Sequence, residues 1–380
     1  MKRIAFIGLG SRIAHIYDKM AGWEPVEIAA ICDPDPEGAL QRLKNKGHRA
    51  ENVRFYNAGE QEKMLEEVHP DGVLIGTRCN LHSTMAASVL RRGIPLFLEK
   101  PVGITWEDLH LLETADLGRN NTVVSFPLRL SLLAQTAKSI VDSGVLGSIS
   151  QIQAVNNVPY GRGYFKKWYR DDSITGGLFL QKATHDVDVI RYVAGFEPVT
   201  VSAMKSKVIF KGEHPAGLRC SACREKMTCP ESTYTLTRLA GEPEQPDTCS
   251  FAVDTGNEDS GTMLLMDRDG RHCVYTQNFV ARKQAGRRQV RIIGLKGTLE
   301  FNFTDGSLTV YHHYENRVEQ HKIDMQDGHA GGDPLLARAF LDVMEGKPSV
   351  SPLADGITSA KICLRATESA ESFCFLPIEP

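Results

Sequence analysis

No stretch of this 380-residue chain approaches the ~20 consecutive apolar residues that a membrane-spanning helix needs. Strong charge of either sign is also missing. The 44 basic and 47 acidic residues leave a formal net charge of −3, so neither nucleic acid nor a membrane surface is an expected partner. The cationic start Met1-Lys2-Arg3 leads into only Ile4-Ala5-Phe6-Ile7 before glycines interrupt, which is too short for a secretory leader. Nine scattered cysteines do not form a paired framework, and they fit free thiols in a reducing cytoplasm. What remains is an ordinary globular composition, 42% hydrophobic and 24% charged, long enough for two or three domains.

The first third alternates strand and helix patterns. Ile4–Ile7, Val26–Ile31, Val73–Ile75 and Pro95–Leu98 read as strands, with Val123-Val124 a weaker one, and helical segments such as Glu60–Val68 and Leu81–Arg92 lie between. That alternation implies right-handed βαβ units and a doubly wound parallel sheet. The first turn is Gly8-Leu9-Gly10-Ser11-Arg12-Ile13. Its glycines let the backbone approach a pyrophosphate at the N-terminus of the next helix. The third fingerprint glycine is absent, replaced by Ile13, but that position mainly serves helix–strand packing. Asp33 ends the next strand about 20 residues further on, where an acid accepts from ribose hydroxyls. Its charge opposes a 2′-phosphate and no arginine follows directly, so NAD is expected over NADP.

Leu96-Phe97-Leu98-Glu99-Lys100-Pro101 is a buried strand that surfaces in a charged pair. In open α/β sheets ligands sit outside the carboxyl ends of strands, which presents Lys100 to a cleft. Thr77, Asn80 and His82 follow the strand at Val73, with Asn80 placed to cap the next helix.

Together the Gly-x-Gly turn, Asn80-Leu81-His82 and Glu99-Lys100-Pro101 resemble the Gfo/Idh/MocA-type oxidoreductases, two-domain NAD(P)-dependent dehydrogenases of sugars and cyclitols. The resemblance implies that Lys100 lies beside nicotinamide and substrate, and that Glu99, Asn80 and His82 line the cofactor site along with the Gly8–Ile13 turn, Asp33 and Thr77.

The expected domains are 1–126, binding NAD, and 127–380, an α+β domain with a large, mostly antiparallel open sheet. Arg129 and the segment carrying Tyr160, Trp168 and Arg170 suit a sugar, because aromatic faces stack on rings and polar groups read hydroxyls. A predicted helix over Leu178–Ile190 carries Gln181, Lys182, His185 and Asp188. At α-helical spacing Lys182 and Gln181 both neighbour His185. Such a polar face is costly unless it meets a cavity. The family's second motif matches at His185 and Asp188, but Gln181 stands where relatives carry an aspartate. Lys100, His185 and Lys182 are thus the catalytic candidates, and Gln181 and Asp188 join the substrate set. His185 suits a base near neutrality, and Lys100 would orient the hydroxyl.

Strand patterns dominate after Val199, followed by a helix over Pro334–Met344, capped by Asp333, and a closing helix at 354–373. One face of the second sheet is expected to join a homodimer or homotetramer. An insertion at about 212–250 carries Cys220, Cys223, Cys229 and Cys249. A structural zinc, free thiols and disulfides are the alternatives there. The expected activity is hydride transfer between NAD and a carbinol carbon of a sugar or cyclitol. The alternatives are a non-catalytic NAD sensor and an NAD-dependent glycosidase or lyase that works by transient oxidation.

Overall fold

A computed structural model describes residues 1–48, 52–239, 241, 246–325 and 329–379. Parts of the cysteine-bearing insertion and Gly328 therefore lie outside the described residues. The chain divides into two compact units whose segments interleave. The first comprises Met1–Thr136, Val187–Tyr192 and Asp324–Lys361, the second Ala137–Asp186, Val193–Ile323 and Ile362–Pro380.

Six parallel strands organise the first unit: β1 (Lys2–Ile7), β2 (Val26–Cys32), β3 (Arg54–Tyr56), β4 (Gly72–Ile75), β5 (Leu96–Leu98) and β6 (Thr122–Val124). Their order is β3-β2-β1-β4-β5-β6. Every residue of β4, β5 and β6 is buried, as a parallel sheet covered on both faces requires. The strand order reverses between β1 and β4, which opens the crevice where ligands bind in such sheets. The edge strand β3 has no counterpart in the sequence reading, because three residues, two of them exposed, carry no periodicity. The helix Gly332–Met344 joins this unit through Leu336, Phe340 and Leu341, which pack with Phe6, Ile13 and Phe97. The Phe97 and Phe340 rings meet edge to face at 5.9 Å.

The second unit is built on nine strands: β7 (Ile149–Asn157), β8 (Pro198–Ser206), β9 (Ser260–Asp267), β10 (His272–Asn278), β11 (Arg287–Gly294), β12 (Gly297–Asn302), β13 (Ser307–His312), β14 (Val318–Lys322) and β15 (Leu376–Pro377). The order is β14-β13-β12-β11-β7-β10-β9-β8-β15, and among the described residues β7 and β10 are its one parallel pair of neighbours. The large, mostly antiparallel sheet expected from the sequence is present. Burial alternates along β9, so Met263 and Leu265 are buried while Leu264 and Met266 are exposed.

Two predicted helix starts need correction. Asp333 does not cap its helix. Gly331, at φ 77°, takes that place without a side-chain cap, and Asp333 lies in the first turn with its carboxylate turned to Arg12. Asn80 does not cap the helix His82–Leu90 either, because a single 3₁₀ turn, Cys79–Leu81, absorbs it and leaves it exposed.

Candidate functional site

The glycine turn folds as its residue types dictate. Gly8 sits at φ 75°, and a Cβ there would lie 2.8 Å from Thr77, so only glycine fits. The helix Ser11–Ala21 then starts from Gly10 with no side-chain cap. Its first-turn N–H groups have no intrahelical partner and are available to an anion. Asp33 is buried at the end of β2, where its carboxylate accepts from the N–H of Leu9 (2.8 Å) and of Asp35 (2.9 Å). A cavity of about 580 Å³ opens between these groups, lined by Gly8, Gly10, Asp33 and Thr77 together with Arg42 and Arg78. An open glycine turn, an uncapped helix start and an acid at the ribose distance fit a dinucleotide. Arg42 was not legible as part of this site. It reaches back from the helix Pro36–Asn45 to donate to the Leu9 carbonyl at 3.2 Å.

The strand ends β4 and β5 are tied together by His82. Its Nδ1 lies 2.7 Å from the Pro101 carbonyl and its Nε2 lies 3.3 Å from the Thr77 carbonyl. Burial holds the imidazole below its ordinary pKa, so the neutral ring has one N–H to give, and the shorter contact to Pro101 takes it. His82 therefore fixes the turn that carries Lys100 (the Lys100–Pro101 peptide is cis). Lys100 and Glu99 both act electrostatically on His82 and on buried Cys79, whose thiol burial pushes up to about 11.

Glu99 belongs to a wider network centred on Arg12. That guanidinium grips Asp333 with both nitrogens at 2.7 and 2.8 Å, and reaches Glu99 and Ser125 at 3.3 Å. His329 and His15 also approach Asp333, at 3.0 and 3.2 Å. Burial alone would raise the Asp333 carboxyl, but hydrogen bonds from His329 and Arg12 hold it well below the usual carboxylate range. The partner of Arg12 is 321 residues away in the chain, a separation that no local pattern reveals.

In the second unit the predicted α-helix begins instead as a π-helical turn, Phe179–Ala183, and becomes α-helical from Thr184 to Ala194. A π turn carries more residues than an α turn, so the i, i+3 and i, i+4 argument linking Lys182 and Gln181 to His185 does not hold across it. Glu258 anchors the start of the turn by accepting from the N–H groups of Leu178 and Phe179, each at 2.9 Å. Gln181, Lys182 and His185 are all buried. The Lys182 ammonium donates to the Tyr160 hydroxyl at 2.5 Å and lies 4.7 Å from that ring's centroid. Arg170 pairs with Asp254 at 2.5 Å, and Trp168 stacks on Tyr169 with centroids 3.9 Å apart. A cavity of about 470 Å³ is lined by Tyr160, Arg162, Tyr164, Tyr169 and Arg282.

The remaining polar groups of this helix are satisfied internally. Asp186 accepts from Asn156 and Tyr275 at 2.8 Å and from Arg288 at 2.7 Å. Asp188 belongs to the first unit, is fully buried, and binds both Nε and Nη2 of Arg129. Arg129 also reaches Asp355 at 2.7 Å. Neither Arg129 nor Asp188 faces a ligand cavity described above; each is engaged by the other.

The four cysteines do not form the metal centre that was one of the alternatives. Among the described residues no group of three or more His, Cys, Asp or Glu side chains could hold a metal ion, and no cysteine is joined in a disulfide. Hydrogen bonds hold the insertion instead. Arg219 bridges Thr248, Cys220 N–H donates to the Asp247 carbonyl at 3.2 Å, and the buried Lys166 ammonium donates to the Thr248 carbonyl at 2.9 Å.

Comparison with known proteins places both parts of the chain. Residues 2–124 match a family model described as an oxidoreductase family with an NAD-binding Rossmann fold, and residues 134–300 match the GFO/IDH/MocA C-terminal domain. The protein YteT of Bacillus subtilis (strain 168) is 25% identical over 377 residues, covering 88% of this chain and 87% of YteT. Inositol 2-dehydrogenase of Rhizobium meliloti (strain 1021) is 25% identical over 219 residues, covering 57% of this chain and 62% of that enzyme. The structure of levoglucosan dehydrogenase in complex with NADH and L-sorbose shares the fold, with a TM-score of 0.78 at 20% identity over 100% of this chain and 99% of the other. No helix among the described residues is long and apolar enough to cross a membrane.

Proposed function

The chain belongs to the GFO/IDH/MocA family of oxidoreductases, and from that premise we propose that it is an NAD-dependent dehydrogenase acting on a secondary alcohol of a sugar or cyclitol. One observation carries the reading: the glycine turn, Asp33, Thr77 and Lys100 all stand at the carboxyl ends of one parallel sheet, around its switch point. Bound NAD would supply a nicotinamide ring that accepts hydride. The Gly8–Ile13 turn would hold its pyrophosphate, and Asp33 would read its ribose. Asp33 favours NAD over NADP, because a second negative charge beside a buried carboxylate is repelled.

Lys100 presents an ammonium to the carbinol oxygen and stabilises the charge that develops there as the C–H bond breaks. Glu99, held by Arg12, and His82, held on Pro101, keep that turn in place. The reading supplies His185 or Lys100 as acceptor of the hydroxyl proton, and the aromatic cavity of Tyr160, Tyr164 and Tyr169 as the surface that stacks on a sugar ring. The exposed face bearing Met204, Leu264 and Met266 supports a homo-oligomer formed through the large sheet.

The test is NADH formation, followed by absorbance, across a panel of polyols, inositols and aldoses. Lys100→Met should lower turnover by orders of magnitude while NAD affinity stays within a few-fold. Unchanged turnover in that variant removes Lys100 from the mechanism. Release of product from a glycoside without net NADH would replace the dehydrogenase by a transient-oxidation glycosidase.

A further inference from the structure

We propose that Tyr160, rather than His185, takes the carbinol proton, with Lys182 as the residue that positions its phenol oxygen. The inference rests on the dehydrogenase reading and assigns the proton-accepting group within it.

Position 181 is a glutamine, which cannot take a proton as a carboxylate does, and the residue beside it is a lysine. Lys182 is 6% exposed, and its ammonium has the Tyr160 hydroxyl as hydrogen-bond acceptor at 2.5 Å. The same ammonium lies over two phenol rings, 4.7 Å from the Tyr160 centroid and 5.9 Å from that of Tyr164. Among the described residues no carboxylate forms an ion pair with Lys182. Asp186, the nearby acid, is bound to Arg288 and accepts from Asn156 and Tyr275 as well. Arg288 and Asp186 therefore offset each other, and the charge on Lys182 is left facing a phenol. A buried cation without a counter-ion is costly. Ionisation of Tyr160 removes that cost.

The charges around Tyr160 agree. Lys182 pulls the phenol below its ordinary value, Arg288 adds to the pull, and burial and Asp186 oppose it. Of the cations on the same cavity wall, Arg162 and Arg282 are both held by Glu231, at 2.7 and 3.0 Å, while Lys167 and Lys283 complete the rim. Among the described residues no acid lines that cavity. Accessibility separates the candidates. Tyr160 is 59% exposed and lines the 470 Å³ cavity, whereas His185 is 7% exposed.

The step balances as follows. The carbinol C–H bond breaks and its electron pair leaves as hydride to the nicotinamide of NAD⁺. The O–H bond breaks, the C=O bond forms, and the proton goes to the phenolate oxygen of Tyr160, from which water later removes it. The carbinol is oxidised by two electrons and NAD⁺ is reduced to NADH.

The experiment is the pH profile of kcat/KM for alcohol oxidation, joined to an ultraviolet tyrosinate titration of the NAD-bound protein. Wild type should show one rising limb below the ordinary phenol range. Tyr160→Phe should lose that limb and about 10²- to 10⁴-fold in kcat, the usual scale of general acid–base catalysis. Lys182→Met should move the limb upward by about one pH unit or more, giving roughly tenfold lower activity at neutral pH and recovery at alkaline pH. Lys182→Arg should keep it near its place. The titration should lose its earliest tyrosinate in Tyr160→Phe. A limb that survives Tyr160→Phe and disappears in His185→Gln returns the proton to His185 and overturns the assignment, as does a limb unmoved by Lys182→Met. Turnover with these failures leaves the dehydrogenase reading standing. Absence of turnover in wild type on every alcohol overturns both.

Discussion

Arg129 and Lys182 are both buried cations, and their surroundings differ in one respect that decides what each is for. Arg129 is gripped by Asp188 on two nitrogens and by Asp355 on a third. Its own burial works against its charge, yet the two carboxylates more than offset that and raise its affinity for the proton. Lys182 has a phenol where Arg129 has carboxylates. A cation fully answered by carboxylates is fastened into the scaffold and has nothing left to offer a ligand. One answered by a half-exposed phenol can change what that phenol does. Residue type alone placed Arg129 and Asp188 beside Tyr160 as candidates for substrate contact; partnering separates them.

The sharpest way to break the comparison is to remove each cation without changing its volume greatly. Arg129→Met strands Asp188, which is fully buried, and should cost about 3–5 kcal/mol of unfolding free energy in denaturant titrations. Burial already pushes the Asp188 carboxyl up to about 6, and without Arg129 it should rise further. A carboxyl with a raised folded-state value favours the fold at low pH and loses that contribution as pH rises through it. The variant should therefore be closest to wild type near pH 4 and fall away toward neutrality. A loss below about 1 kcal/mol at pH 7 would mean that the pair is not the fastening it is taken to be.

Asp333 tests the same logic where the acid, not the base, is replaced. Its folded-state value is depressed, so its stabilisation is full above the unfolded value of about 3.9 and is lost as pH falls. Asp333→Asn keeps the shape and removes the charge that faces Arg12. It should cost about 1–3 kcal/mol at neutral pH, and the gap to wild type should close below about pH 4. Thermal unfolding between pH 3 and 8 reads both.

How much of this was visible beforehand follows from the range of each interaction. The parallel sheet, the glycine turn, Asp33 and the Glu99-Lys100-Pro101 turn were legible, because each is a local pattern of a few residues. The large antiparallel sheet was legible from its alternating strands, apart from β14 and β15: most of β14 is exposed, and β15 has two residues. What stayed hidden joins distant segments. Arg12 meets Asp333 across 321 residues, Arg129 meets Asp355 across 226, and Arg288 meets Asp186 across 102. The polar face read around His185 was explained by a cavity, whereas Asp186 and Asp188 are answered by arginines from far along the chain. The π turn at Phe179–Ala183 was also hidden, since the sequence pattern of one π turn is that of an α turn.

The smallest expected effect is the most discriminating one. Tyr275 is fully buried, and Tyr275→Phe removes only a hydroxyl that donates to Asp186. Asn156 and Arg288 still serve that carboxylate, so the loss should be about 1 kcal/mol. Lys182→Met should cost less than that, within about 1 kcal/mol of wild type, because it strands no charge. Tyr160 can take up a proton and keep its exposed face in water, a retreat that is closed to Asp188 inside its pair. Denaturant midpoints of the two variants, measured together, set the order. If Lys182→Met proves as damaging as Arg129→Met, Lys182 is fastened after all, and its hydrogen bond to Tyr160 is architecture rather than chemistry.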